Sequence, residues 1–332
     1  MPTPRQKLFQ DFSANSKMMK QLSMTMKKIE SGWNIDHIQR SSQFKKSLQQ
    51  TLNHFYPLAG TIKKDYFVDC NNNGVEFYKA RILSFETRTN GTGLGSREVL
   101  LAIQYNIFDC GGLAIGVCVS YRMADGTSTR TFLKAWTIFL KFDAANFFPK
   151  KDMHWYNPNN FTTKEKVMRR LLFDKSSITA LREKASPTAD SQAISTLILG
   201  CLMATSKSRP APAKFIPARD VVNLRVRMVP PMPIHSFRNL WYNASAVYSN
   251  GGMESFNVTS WCTFPFYDVD FGWGRPTWMC CPNISFKNAI IMMSTKDEQG
   301  IDEAYVSISE EDSIIFDSDL ELLPFVSETI HD

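Results

Sequence analysis

The sequence contains no Gly-x-Ser-x-Gly elbow, no Walker loop and no Cys-x-x-Cys pair. Their absence removes α/β-hydrolase, P-loop nucleotide and dithiol or zinc-ribbon chemistry from consideration. The five histidines, at 37, 54, 154, 235 and 331, stand singly, with no second ligand three or four residues on, so no metal site is expected. Apolar runs are short as well. The longest, Leu113 to Val119 and Ile198 to Ala204, fall far below the ~20 residues of a membrane-spanning helix, which predicts a chain not integral to a membrane. Neither sign of charge forms a block. With 38 basic and 32 acidic residues the net charge is +6, which gives nucleic acid no particular footing and suits a small anionic ligand equally well. The seven cysteines are odd in number, and four lie inside apolar stretches; this predicts a reducing, cytoplasmic compartment without structural disulfides. The first thirty residues are rich in lysine, but they lack both the arginine bias of a transit peptide and the apolar core of a secretory signal.

What is present is the composition of a folded protein. Of 332 residues, 43% are hydrophobic and 21% charged, enough chain for about two domains with real cores. Phe44, Leu48, Leu52 and Phe55 recur at helical spacing, and Tyr56-Pro57 closes that helix before a turn at Gly60. Tyr66 to Val68, Val75 to Leu83, Val99 to Phe108 and Leu113 to Tyr121 read as strands, the last two as a hairpin around Asp109 to Gly112. From Gly126, Phe132, Leu133, Trp136, Phe139 and Leu140 form a helical stripe, so Tyr121 to Asp125 is a strand-to-helix corner. The pattern predicts an N-terminal domain over 1–150, a crossover loop over 151–170 and a C-terminal domain over 171–332. Within the last, helices are expected near 176–185 and 189–206, strands at 217–226, 239–249 and 286–294, and a capped helix after Ser309. The run Asn90 to Gly95 resembles a nucleotide loop only in composition, because it precedes a strand and opens no helix.

One segment is highly specific. Asp270-Phe271-Gly272-Trp273-Gly274 has a chance occurrence on the order of 10⁻⁴ at average residue usage. It is accompanied in order by His54 to Gly60, Phe108 to Gly112, Ala124 to Thr127, Asn223 to Met228 and Thr259 to Cys262. On these motifs the chain resembles the BAHD acyltransferases, in particular the vinorine synthase-like branch, over roughly residues 38–328. The resemblance implies an α/β protein of two chloramphenicol-acetyltransferase-like domains, with mixed sheets and an interdomain channel. It implies acyl-CoA as co-substrate, no permanently bound cofactor, and a small hydroxylated or amine acceptor. A monomer is expected, in which a histidine at the corner deprotonates the acceptor for attack on the thioester.

Carried over residue by residue, the resemblance places Tyr121 at the position of the base and Asp125 as the anchor of the corner. Ser260 and Trp261 fall in the coenzyme segment, and Thr127 opens the helix after the corner, where an anion or ordinary capping would both fit. Asp270 to Gly274 read as turn and packing elements, with the motif expected in the C-terminal domain. Arg225 and Arg227 share one strand face; they could pair with Asp125 or Asp270, or meet a coenzyme phosphate.

Two departures stand out. The corner reads Tyr121-Arg122-Met123-Ala124-Asp125, so the aspartate is kept and the histidine is not. A phenol of pKa about 10 is ionised to roughly one part in a thousand at pH 7, a deficit of about 4 kcal/mol for a general base. Impaired or altered activity is therefore expected. The alternatives are a cleft reused for binding small molecules and a truncated gene product. The chain is also short for the family: residues are missing between Phe85 and Glu98 and between Asn250 and Ser255, and no N-terminal strand is recognisable in residues 1–30.

Overall fold

The computed structural model describes residues 9–13, 23–27, 37–63, 67–82, 100–108, 112–120, 123–138, 166–185, 190–210, 212, 218–221, 254–281, 284, 287–296 and 302–331. Two compact units divide the chain. The first comprises Met1–Lys151 and Phe264–Asn283, the second Asp152–Thr263 and Ile284–Asp332. Each is an α/β layer structure on a six-stranded mixed sheet.

In the first unit, with strands numbered along the chain, the elements are β1 (Phe9–Ser13), β2 (Ser23–Lys27), α1 (His37–Leu52), β3 (Thr61–Lys63), β4 (Phe67–Asp69), β5 (Val75–Ile82), β6 (Leu101–Phe108), β7 (Leu113–Val119), α2 (Gly126–Ile138) and β11 (Met279–Cys280). The sheet runs β1-β5-β6-β7-β2-β11. β6 and β7 pair antiparallel as the expected hairpin, whose turn is closed by the Phe108 amide donating to the Gly112 carbonyl at 3.0 Å. The expectation of no N-terminal strand is corrected: β1 lies parallel to β5, and β2 lies antiparallel to β7 through a bulge at Met24/Met26. FQDFS does not alternate, and SMTMK alternates over only five residues without a β-branched or aromatic apolar residue, too short a signal to read alone. The motif Asp270 to Gly274, expected in the C-terminal domain, belongs to the first unit, because Phe264–Asn283 returns to it and adds β11 to its sheet edge.

The helical spacing read from α1 delivers its apolar face to this core. The Phe44 ring lies 4.5 Å from Trp136, 5.5 Å from Tyr105 and 6.2 Å from Phe77. The Trp136 indole N–H donates to Ser47 Oγ at 2.9 Å, so the one polar atom of this large side chain is satisfied.

The second unit holds β8 (Lys166–Phe173), α3 (Lys175–Ala185), α4 (Asp190–Lys207), β9 (Ala218–Val221), β10 (Phe256–Ser260), β12 (Ala289–Ser294), β13 (Asp302–Ser309), α5 (Glu310–Phe316) and β14 (Glu328–His331). Its sheet runs β14-β8-β13-β12-β10-β9. Leu171, Phe173, Phe256, Val258, Ile290, Met292, Ala304, Val306 and Ile308 point alternate side chains into one core with α3 and α4. β8 begins inside the segment expected as crossover loop. Its consecutive Arg169 and Arg170 hide the strand pattern, yet each guanidinium is held: Arg169 reaches both carboxylate oxygens of Asp317 at 2.8–3.0 Å, and Arg170 those of Glu303 at 2.6 and 3.0 Å. Strands β10 and β13 also escaped the sequence pattern. The segments 83–99 and 222–253, which contain the expected strand at 239–249, the run Asn90 to Gly95 and most of both apparent deletions, lie outside the described residues.

The other charged cluster of this unit centres on Arg209, just beyond α4. Its guanidinium donates to Glu254 at 2.9 and 3.1 Å and to Asp312 at 2.6 and 2.5 Å. Burial would raise the Glu254 pKa, but hydrogen bonds from Ser206, Arg209 and Asn288 and the Arg209 charge outweigh it and hold the carboxyl at about 2, below its ordinary 4.5. Ser309 caps α5 as the sequence implied, its hydroxyl accepting the Asp312 amide at 3.3 Å.

Two tests follow from this packing. A Cβ at Gly60 would lie 2.5 Å from the Asp69 carbonyl oxygen, so Gly60→Ala forces backbone to move and is expected to cost about 1–3 kcal/mol in denaturant titration. Because the Glu254 pKa is depressed on folding, its stabilisation is complete above about pH 4.5 and is lost as the pH falls toward 2. The stability gap between the native protein and Glu254→Gln should therefore shrink with acidification across that window.

Candidate active site

The corner expected from sequence is built by hydrogen bonds at its two ends. Ser120 follows β7, its amide donating to the Leu100 carbonyl at 2.9 Å while its own carbonyl accepts from Met123 and Ala124 at 2.8 and 3.1 Å. The chain thus turns back within four residues. Asp125 then caps α2: its Oδ1 accepts the Ser128 amide at 2.8 Å, and its carbonyl accepts the Thr129 amide at 2.8 Å. A carboxylate at this position satisfies a donor that the helix leaves open and meets the positive end of the helix dipole.

Thr127, the second residue of α2, is half-buried, and its carbonyl accepts from the Thr131 hydroxyl at 2.9 Å. Since Asp125 already occupies the Ser128 amide, an incoming anion at this helix start would compete with a carboxylate. Tyr121, Arg122, Arg225 and Arg227 lie outside the described residues.

The Asp270 to Gly274 motif explains itself through backbone geometry. Gly272 and Gly274 have φ of +91° and +103°, in the region that favours glycine, and Asp270 Oδ1 accepts both of their amides at 2.8 and 2.9 Å. The tightly wound loop projects its two aromatic residues into the first core. Phe271 lies 4.9 Å from both Phe44 and Trp136 in edge-on contacts, and Trp273 lies 5.8 Å from Phe44. Beside the loop is a small pocket whose lining, among the described residues, includes Ile115, Val117, Leu133, Phe271 and Trp273 and is apolar or glycine.

Ser260 ends β10 in the second unit, and Trp261 follows it. The Trp261 amide donates to the Met292 carbonyl at 2.8 Å, its ring is buried, and Ser260 is half-buried. The adjacent Cys262 thiol is pushed up by burial, against hydrogen bonds with Ser260 and Ser294, so it remains protonated near neutrality and is a poor nucleophile. Among the described residues no group of three His, Cys, Asp or Glu could hold a metal, and no helix is long and apolar enough to cross a membrane.

The structure thus joins Asp125 and Thr127 at one corner, and Asp270 to Gly274 to the aromatic core of the same unit; Ser260 and Trp261 belong to the other. Sequence reasoning missed Arg209 and Glu254. They stand 45 residues apart without a motif, and the only sequence signal near them is the capped helix after Ser309, whose first turn holds their partner Asp312.

An α/β fold of two mixed sheets with these motifs defines the chloramphenicol-acetyltransferase-like class. A profile of the Transferase family matches residues 30–84, 94–250 and 243–323, and the chain belongs to that family, the BAHD acyltransferases. It is 30% identical to stemmadenine O-acetyltransferase from Catharanthus roseus over 359 aligned positions, covering 86% of this chain and 85% of that protein. It is 31% identical to vinorine synthase from Rauvolfia serpentina, covering 84% and 83%. The crystal structure of vinorine synthase superposes with a TM-score of 0.74 at 29% identity, covering 94% of this chain and 92% of that one. At 12% identity, F. graminearum TRI101 complexed with coenzyme A and deoxynivalenol shares the fold with a TM-score of 0.69. An alignment of 359 positions exceeds the 332 residues of the whole chain, so this chain carries internal gaps relative to that relative. The profile matches leave out residues 85–93 and overlap over 243–250, beside the two segments read as shortened.

Removing the Asp125 side chain should expose its importance to the corner. Asp125→Ala is expected to lower stability by about 1 kcal/mol through the lost cap, and Asp125→Asn, which still accepts the Ser128 amide, to recover most of it in thermal unfolding.

Proposed function

We propose that the chain is an acyl-CoA-dependent O-acyltransferase that moves an acetyl group onto a hydroxyl of a specialised metabolite, with turnover limited by Tyr121. Membership of the acyltransferase family carries the reading, supported by relatives that are acetyltransferases and by the retained Asp125 corner. In this reaction the acceptor oxygen attacks the thioester carbonyl and loses its proton to a base. The carbon–sulfur bond then breaks, and the coenzyme thiolate takes the proton, leaving an O-acyl ester and free coenzyme A. Ser260 and Trp261 serve the coenzyme side, and Arg225 and Arg227 hold Asp125 or Asp270, or meet a coenzyme phosphate. The protein works as a cytoplasmic monomer.

The base step is where this chain differs. Imidazole, with a pKa of about 6.5, is largely unprotonated at pH 7 yet basic enough to take the proton, whereas a phenol is almost wholly protonated. Burial moves a phenol further the wrong way: at Tyr105 burial lifts the pKa to about 12 despite the opposing charge of Arg40. Thioesters are activated acyl donors, so positioning alone sustains slow transfer. Tyr121 also favours a second reading, in which the site binds a small molecule without turning it over.

Purified protein incubated with labelled acetyl-CoA and a panel of alcohols is expected to form acylated product slowly. Tyr121→His should raise that rate by about 10²–10³-fold. Coenzyme A binding without turnover in either form would favour the second reading; absence of both binding and turnover in folded protein would remove the first.

A further inference from the structure

We propose that Glu254 is a positioning residue for the coenzyme side of the site: its carboxylate fixes the register of β10 and so sets where Ser260 and Trp261 stand. The inference rests on the acyl-CoA reading above for what those two residues do, and on the second unit alone for how they are held.

β10 has an unusual need for such a device. Both of its neighbours, β9 and β12, run parallel to it. Parallel neighbours are joined by crossovers, so no hairpin turn fixes the strand's register. The apolar pattern gives only half of the specification. Phe256 and Val258 face the core while Asn257 and Thr259 face away, which forbids a slip of one residue; a slip of two preserves the pattern. Such a slip would displace Ser260 by about 7 Å along the strand.

What forbids it lies at the strand's start. Glu254, two residues before β10, accepts from Asn288 Nδ2 at 2.7 Å, from Ser206 Oγ at 2.5 Å and from both terminal nitrogens of Arg209; Lys287 Nζ lies 3.5 Å away. Asn288 immediately precedes β12 and is itself fixed, with a left-handed φ of +60° and its amide donating to the Ser307 carbonyl at 2.6 Å. Its carbonyl accepts the Asn257 amide at 2.8 Å, the first rung between β12 and β10. One carboxylate therefore ties the end of α4 and the starts of β10 and β12 together, and through Arg209 it reaches Asp312 in the first turn of α5. Six residues of extended chain separate Glu254 from Ser260, about 20 Å, so the carboxylate acts through the strand and touches no reacting atom.

The test uses the full chain and three variants, with coenzyme A as the probe. Glu254→Gln removes the charge that Arg209 holds, and Ser206→Ala removes a single hydrogen bond to the carboxylate. Asp317→Asn weakens the Arg169 ion pair elsewhere in the same unit and serves as a control for general loss of stability. Calorimetric titration should show coenzyme A binding weakened at least tenfold in Glu254→Gln and two- to threefold in Ser206→Ala, but unchanged in Asp317→Asn. Amide exchange should quicken over residues 257–261 in the first two and hold in β8 and β13. A folded Glu254→Gln that binds coenzyme A like the native protein overturns the proposal; if that variant does not fold, unchanged affinity in Ser206→Ala does so. Should the native protein itself bind no coenzyme A, the acyl-CoA reading fails, and the exchange pattern alone decides whether Glu254 sets the register.

Discussion

A carboxylate capping a helix directly after a strand is the contact on which the site depends. Asp125 takes the Ser128 amide, α2 starts at a defined residue, and the backbone between β7 and α2 is closed from both sides by hydrogen bonds to Ser120 and Asp125. Ser120 on one side and Asp125 on the other are thus both held by backbone hydrogen bonds. The cap formed by Asp125 depends on its carboxylate accepting the Ser128 amide and on no other side chain of the corner.

The same separation between framework and reagent recurs elsewhere. In the Asp270 to Gly274 loop, two glycines at positive φ and a carboxylate accepting their amides wind the backbone so that Phe271 and Trp273 reach Phe44 and Trp136. The most specific stretch of the sequence is thus a packing device. In the second unit, Glu254, Arg209 and the buried Asp312 form a partly buried charge network in which each charge has a partner; removing one member would leave the others without it.

Much of this was legible before any coordinates. The spacing of Phe44, Leu48 and Leu52 marked α1, the hairpin of β6 and β7 followed from its β-branched runs and Cys-Gly-Gly turn, and α3 and α4 fell within a residue or so of their expected limits. The strands that escaped each had a physical reason. β1 and β2 are five-residue polar segments whose place is set by tertiary pairing, and β8 carries adjacent arginines whose carboxylate partners lie more than a hundred residues away. The motif at 270–274 was recognised, but not its unit, because a segment that leaves a domain and returns to it leaves no trace in local periodicity. Within the site, Asp125 was legible as the anchor of the corner through the family motif, and its hydrogen bond to the Ser128 amide shows how it caps α2. Glu254 could not be read, since its meaning comes from groups at 206, 209 and 288 that only the fold assembles.

The central claim is that the base position holds a phenol and that no imidazole has taken over its task. The pH dependence of enzyme-catalysed product formation by the native protein, corrected for the rate without enzyme, addresses this directly. The account predicts a slow rate with no inflection near pH 6.5 that continues to climb through pH 9, as an un-ionised phenol requires. A rate that levels off above an inflection near 6.5 would mean that a histidine still serves as the base, and would contradict it.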